Sequence, residues 1–492
     1  INFKLSKSFS TPKRLVFLID GIPEKIEQKK KIIKGPNIKA PQTALEGFIK
    51  SNNLNKKDVY KKTIEKGEFY FAEIKPKLID ISKELQFIIP EAFQSYSWKK
   101  SMKWSNYDLN WGRPLKSIAA LFNKKVINFN FFHLKSGDLT LIDGINEDKV
   151  KKINSFKSYI NLLKSQNIIL DQEERKKIIV KKMNNICKSK NLKNDFSEKL
   201  IEEVVNLVEK PNVIICKFDE IYLKVPQEIL IITMQQHQKY FPLFENNGKL
   251  TNLFLLVSNL EDIKGYIKIG NQRVIEARLS DAKFFWDKNK TQSLVKQVGK
   301  LKNLRFFNHL GTFYDKTQRL RKLGGSISYQ LNLSKEKIEM AASICKADLV
   351  SDLVGEYPEL QGVMGKYFAV EQGFEEDIAA AISDHYLPTG INSEIPKKPI
   401  STAVSIIDKI DTLVGFFGIN EKPTSSKDPF ALRRSSIGLL KIIIEKKLTI
   451  QIKDLINHSI STYKEQGAKF TNDLVAKEVL IFLRERFKNL LK

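Results

Sequence analysis

The sequence predicts an α+β protein in which mixed α/β N-terminal domains are followed by an all-α helical region, and three observations carry that expectation. Short β-branched and aromatic runs alternate with helical stretches as far as about residue 132. A second group of strand-like runs lies between residues 212 and 259. Beyond Asn271 strand signals nearly vanish, and one helical pattern follows another.

In chain order, RLVFLIDGI (Arg14 to Ile22) and KGEFYFAEI (Lys66 to Ile74) read as strands, with helices at Thr43 to Lys50 and Lys77 to Phe93. Phe156 to Val208 takes helical periodicity, with Leu200, Val204 and Leu207 on one face, and Pro211 ends it. Strands follow at NVIICKF (Asn212 to Phe218), Tyr240 to Phe244 and LFLLVSN (Leu253 to Asn259), the last two joined by a turn at Asn246, Asn247 and Gly248. In the helical half, Ile338, Ala342, Cys345, Leu349 and Leu353 step along one helix, and Val404, Ile407, Asp411 and Val414 along another. Pro388, Pro396 and Pro399 mark a loop between helices. The expected division is residues 1–150, mixed α+β; 151–290, a helical insert and second β-containing domain; 291–450, all-α; and 451–492, the start of a further helical region.

A chain of 492 residues exceeds one ordinary core, and 42% hydrophobic with 28% charged residues is globular rather than disordered composition. Lys and Arg number 83 against 56 Asp and Glu, and the net charge of +27 suggests a polyanionic partner, nucleic acid first. A general bias toward Lys, Ile and Asn explains the same excess. No apolar run reaches the roughly 18 residues of a spanning helix and no signal segment opens the chain, so a cytoplasmic protein without membrane contact is expected. Cys187, Cys216 and Cys345 are odd in number and far apart, which argues against a disulfide framework or zinc cluster. The opening Ile1 and the uncapped pattern at Phe487 to Lys492 read as a fragment at both ends.

Chemistry that a self-sufficient ATP-using enzyme needs is missing. A glycine-rich phosphate loop ends in Gly-Lys-Ser/Thr, whereas Gly248-Lys249 and Gly299-Lys300 are followed by Leu and Gly365-Lys366 by Tyr. The five histidines, His133, His237, His309, His385 and His458, offer no pair close in sequence for a metal site or a nucleophile and base.

MQQHQKYFPLF (Met234 to Phe244) followed by GNQRVIEARLSDAKFFWDKN (Gly270 to Asn289) resembles the central signature of bacterial glycyl-tRNA synthetase β subunits. KADLVSDLVGEYPELQGVMGKYFA (Lys346 to Ala369), HYLP (His385 to Pro388), and IDKIDTLVGFFGI running on to KDPFALRRSSIGLLKI (Ile407 to Ile442) agree in order. TPKRL (Thr11 to Leu15), KGP (Lys34 to Pro36), LEGF (Leu45 to Phe48) and WGRPL (Trp111 to Leu115) extend the likeness upstream. The family's acidic opening segment and anticodon-binding-like helical domain are not matched. Its Gly-His-Arg-Phe element is replaced after His133 by HLKSGDLTLIDGI. Neither the HIGH and KMSKS signatures of one synthetase class nor the Arg-bearing motifs of the other occur.

The resemblance implies that a separate α subunit forms glycyl-adenylate from glycine and ATP, with Mg, while this chain presents tRNA(Gly) and itself binds no cofactor. An α2β2 complex is implied. The alternatives are a stand-alone HD-family metal-dependent phosphohydrolase and a non-enzymatic RNA-binding factor.

No catalytic residue is expected on this chain. As tRNA contacts, His237 and Lys239 suit phosphate and Tyr240 suits base stacking, against a reading in which the ring is core. Arg273, Arg278 and Lys283 form a basic ridge on one helix, or a solvated face. Arg433 and Arg434 sit at a helix start with Asp428 as cap and Pro429 in the first helical position, able to take phosphate bidentately or an internal carboxylate. The blocks around Lys346 and Ile407 also resemble an HD-type hydrolase domain, whose His-Asp pair reads Ala347-Asp348 here. Asp348 with Asp408 or Asp411 supplies carboxylates, but the paired imidazole is absent, so a degenerate, metal-free HD-like fold is implied.

Overall fold

The computed structural model describes residues 5–27, 31–65, 67–74, 78–142, 149–194, 196–424, 427–470, 472 and 474–490. The architecture is mixed α/β with a helical C-terminal region. Two compact units divide the chain, Ile1–Lys181 with Ile201–Asn212, and Lys182–Leu200 with Val213–Lys492.

In the first unit, strands Leu5–Thr11 and Arg14–Asp20 pair antiparallel across a tight turn, Thr11 opposite Arg14. Strand Gly67–Ile74 is flanked by Lys31–Asn37 and Val59–Ile64, both antiparallel to it. Helix Gln42–Ser51 covers the former, and its Phe48 ring lies where a Cβ on Gly35 would stand, at 2.8 Å. The helix expected from Lys77 begins instead at Ile81. Leu78–Asp80 is a strand paired with Lys25–Glu27, and Asp80 Oδ1 caps the helix by accepting the Ser82 N–H at 3.0 Å. The competing signal was a strand partner about fifty residues upstream, invisible to local periodicity. Lys77 itself lies outside the described residues.

Among the described residues of this unit, one small core gathers around Trp111, Phe129 and Phe131 and another around Tyr159, Leu163 and Ile168. Arg175 is wholly buried, and its guanidinium donates to the carbonyls of Ser10, Ile169, Leu170 and Val205. A buried cation satisfied by four carbonyls ties three segments together. Thr11 and Arg14 of the TPKRL motif both reach Glu209, at 2.9 and 3.2 Å, so that motif is a structural fastening. Leu200 and Val204 are buried as expected, but Leu207 is exposed because helix Glu198–Val205 has already ended.

In the second unit the hairpin expected at Asn246 to Gly248 is present. Phe241–Phe244 pairs antiparallel with Leu250–Ser258, Gly248 takes φ +87°, and Asn247 Oδ1 accepts the Lys249 N–H at 2.8 Å. These strands belong to a four-stranded sheet with Lys193–Asn194 and Asn212–Lys217 at its edges. The helical part is organised on Pro399–Gly418, in which 17 of 20 residues are buried, so it is the central helix. Phe313–Leu331, Glu376–Asp384, Leu432–Glu445, Ile452–Glu465 and Val475–Leu490 pack around it. A short hairpin, Arg305–Phe307 with Gly311–Thr312, interrupts the helices.

The single helix expected through Ile338 to Leu353 is broken. Lys335–Ile344 ends, a 3₁₀ turn covers Ala347–Val350, and a short helix resumes at Asp352–Glu356. Asp348 turns inward at the break, its Oδ2 accepting the Gly362 and Gly365 N–H groups at 2.5 and 3.2 Å, and Ser351 caps the resumed helix.

Candidate nucleic-acid interface and a buried charge cluster

Helix Tyr266–Lys290 buries Ile275, Leu279, Ala282 and Trp286 and turns Arg273 and Arg278 outward, both exposed. Lys283 is half-buried and pairs with Asp287 one turn on. Hydrogen bonds from Lys283 and then Lys290 hold the Asp287 carboxyl below the usual carboxylate range. The expected three-residue ridge is therefore two exposed arginines and one lysine already engaged within its own helix.

His237 closes a π-helical turn, Thr233–His237, exposed at the edge, its ring parallel to Tyr357 with centroids 5.3 Å apart. Lys239 is half-buried in the left-handed region at φ +60°. Tyr240 corrects the stacking expectation. Its ring is buried on Phe254 at 4.9 Å and its hydroxyl donates to Asn271 Oδ1 at 2.6 Å. Burial pushes the phenol up to about 12, and no face of the ring remains for a base.

At helix Leu432–Glu445, Asp428 caps as expected, Oδ1 and Oδ2 accepting the Leu432 and Arg433 N–H groups at 2.9 and 3.0 Å. Pro429 is not the first helical residue. It sits in the preceding turn, and Ala431 at φ +53° is the N-cap. The Arg433 guanidinium donates to the Thr424 carbonyl, while Arg434 is exposed. Both line a cleft of about 390 Å³ with Gly390, Ile391 and Ile437.

The aspartates compared above with an HD pair, Asp348, Asp408 and Asp411, lie near a cluster of largely buried charge. Arg319 forks onto Asp411, Nε to Oδ1 at 2.7 Å and Nη2 to Oδ2 at 3.1 Å. Lys316 Nζ lies 3.0 Å from Asp411 and 3.2 Å from Asp408, and Lys346 Nζ 3.5 Å from Asp408. Burial alone would raise the Asp408 carboxyl, but Lys316 and then Lys346 outweigh it and hold it far below the usual range. Asp411 is likewise held down, burial being outweighed by Arg319 and Lys316. Among the described residues Asp348 has no such cation in contact, and burial lifts it to about 6. Lys409 Nζ donates to Leu387 O and Ser405 Oγ at 2.7 and 2.8 Å, and burial lowers it to about 8.

His385 is wholly buried and kept neutral, its Nδ1 3.1 Å from Ala381 O and its Nε2 without a partner among the described residues. Ala347 is buried and offers no ligand atom. These groups do not fit a divalent cation. Asp408 and Asp411 are already neutralised by ammonium and guanidinium groups, and among the described residues no three His, Cys, Asp or Glu side chains are arranged to hold a metal. The three cysteines are buried and unpaired by disulfides, with burial pushing the Cys345 thiol up to about 12.

A family model described as glycyl-tRNA synthetase beta subunit matches residues 1–492. The chain belongs to that family. It is similar to the glycine–tRNA ligase beta subunit of Clostridioides difficile (strain 630), 38% identical over 502 residues that cover 100% of this chain and 72% of the relative. The protein of the same name from Rickettsia canadensis (strain McKiel) is 37% identical over 487 residues, covering 99% and 72%.

Within this glycyl-tRNA synthetase β-subunit chain, much of the shared sequence serves packing. The Lys346 block brings Ala347 and Asp348 inside, and the Ile407 block buries Lys409 and Asp411 and sets Asp408 beside Lys346. Lys316, Arg319, Lys346, Lys409 and His385 were not singled out as a cluster from the sequence. A signal was available for one of them: Arg319, Leu323 and Ile327 share the inward face of helix Phe313–Leu331, a cation within an apolar stripe. Among the described residues no helix is long and apolar enough to cross a membrane.

Proposed function

We propose that this chain is the non-adenylating β subunit of a two-subunit glycine–tRNA ligase, binding tRNA(Gly) and presenting it for ATP-dependent glycylation at the active site of a separate α subunit. The observation that carries the reading is the family match along all 492 residues. The excess of basic residues and the lack of a glycine-rich phosphate loop in the sequence agree with that division of labour. ATP and Mg belong to the α subunit in this proposal, the assembly is α2β2, and it works in the cytoplasm.

Exposed Arg273, Arg278 and Arg434 are the preferred tRNA contacts, with Arg433, His237 and Lys239 beside them. Lys283 contributes less, since Asp287 already neutralises it. The helical part is proposed as a degenerate HD-like domain within the four-part division given above. Lys316 and Lys346 at Asp408 weigh against the phosphohydrolase alternative, because ammonium groups hold the position a catalytic metal would need.

The test is glycylation of tRNA by the α subunit alone, by this chain alone, and by the two mixed. Charging only in the mixture is expected, and glycyl-adenylate formed by this chain alone would overturn the proposal.

A further inference from the structure

Beside the charge cluster lies a cavity of about 400 Å³, walled by Leu304, Phe313, Val354 and Tyr386, with Lys346 on its lining and the exposed Gln361 at its rim. Lys346 is 3% exposed. Among the described residues its ammonium makes no hydrogen bond. Its contacts are the Asp408 carboxylate at 3.5 Å, which it shares with Lys316, and the Tyr386 ring at 4.0 Å. An ammonium has three donors, and a shared carboxylate at long range and a ring face leave room for a further acceptor from the cavity.

The surroundings add to that demand. Lys316, Arg319, Lys346 and Lys409 face three carboxylates, Asp348, Asp408 and Asp411, so the buried cluster carries an excess of positive charge. His385, adjacent to Tyr386 in the chain, is neutral and contributes nothing to offset it. An anion brought against Lys346 would supply further acceptors and balance the charge.

The rest of the cavity selects what the anion is attached to. Phe313 offers an aromatic ring, Leu304 and Val354 apolar surface, and the Gln361 amide both a donor and an acceptor, while the Tyr386 ring is already engaged by Lys346 and by His385 at 3.9 Å. One ring, apolar surface and one amide suit a planar heterocycle with a hydrogen-bonding edge. We propose that this cavity is a binding site for a nucleoside 5′-monophosphate, its phosphate on Lys346 and its base against Phe313 with its edge toward Gln361. The site goes beyond the proposed role in tRNA presentation. Its ligand chemistry is shared by a free mononucleotide and by the 5′-phosphorylated end of an RNA strand.

The experiment is calorimetric titration of the full chain at low salt with AMP, adenosine, inorganic phosphate, and a short oligoribonucleotide with and without a 5′-phosphate. AMP is expected to bind once per chain, with adenosine and phosphate each at least about tenfold weaker. A 5′-phosphate-dependent preference for the oligonucleotide over AMP would identify the RNA end as the source, and the reverse order the free nucleotide. Lys346→Met keeps the buried stem and leaves Asp408 to Lys316, so it is expected to fold and to lose AMP binding about tenfold or more. Gln361→Ala, at the exposed rim, is expected to change preference between AMP and UMP without altering the melting temperature. Failure of AMP to bind at millimolar concentration, equal binding of phosphate and AMP, or unchanged affinity in Lys346→Met would each overturn the site. Glycylation by the α subunit with the Lys346→Met chain is measured in parallel, so loss of the site and loss of the β-subunit role are read separately.

Discussion

Arg319 and Asp411 meet through two near-parallel hydrogen bonds of 2.7 and 3.1 Å, with both side chains wholly buried and Tyr463 Oη within 3.0 Å of the guanidinium. The pair joins helix Phe313–Leu331 to the central helix Pro399–Gly418. Removing one partner leaves an uncompensated charge in the core. Asp411→Ala is expected to destabilise the helical unit by about 3–5 kcal/mol, and Arg319→Met by a similar amount. The double replacement Arg319→Met with Asp411→Leu should recover much of the loss, because no unpaired charge remains apart from Lys316, which keeps Asp408. Chemical denaturation followed by far-UV circular dichroism checks this, and additive losses in the double variant would contradict it.

Exposed arginines act differently from buried ones. Arg273→Ala with Arg278→Ala, and separately Arg434→Ala, are expected to leave the melting temperature unchanged while weakening tRNA binding. If each contacts one phosphate of a duplex, the slope of log affinity against log salt should fall by about 0.9 per residue removed. Filter binding across a salt series reads both quantities. Unchanged slopes would assign these arginines to a solvated surface.

Tyr240 belongs with the core despite its place in the family signature. Tyr240→Phe removes the 2.6 Å hydrogen bond to Asn271 and keeps the ring on Phe254. A loss of about 1 kcal/mol in stability with no change in tRNA affinity is the expected result. A drop in affinity without a drop in stability would return the ring to the interface.

The sequence carried the local features well and the assembled ones poorly. The Asn247-Gly248 turn and the Asp428 cap could be read because each depends on hydrogen bonds within about five residues. Pro429 was placed one turn too far inside the helix because Asp428 caps from across a turn rather than from the adjoining position. The break after Cys345 was hidden because the apolar stepping of Ile338, Ala342 and Cys345 continues to Leu353, and only the distant Gly362 and Gly365 amides draw Asp348 inward. The charge cluster was the least legible part. Arg319 and Asp411 stand 92 positions apart, and a charged residue on an apolar face does not name its partner. Asp348, Asp408 and Asp411 could be picked out as carboxylates, but the lysines that occupy them could not.

Asp348 provides a pH test of that buried arrangement. Burial raises its carboxyl to about 6, above the ordinary carboxylate range, the Gly362 and Gly365 amides offsetting only part of the shift. The folded state therefore holds the proton more tightly than the unfolded state. The associated stability is fully present below about pH 4 and is lost as pH rises through about 6, a change of order 3 kcal/mol. Asp408 and Asp411, held down by their cations, lose their contribution in the opposite sense as pH falls, so wild type alone would mix the two. Asp348→Asn separates them, because its amide oxygen can still accept from Gly362 and Gly365 but does not titrate. The stability of wild type relative to Asp348→Asn, measured by urea denaturation, is expected to decline between about pH 4 and 6 and to level off above. A difference that grows with pH over that interval would mean that the Asp348 carboxylate is stabilised in the fold by a cation rather than penalised by burial.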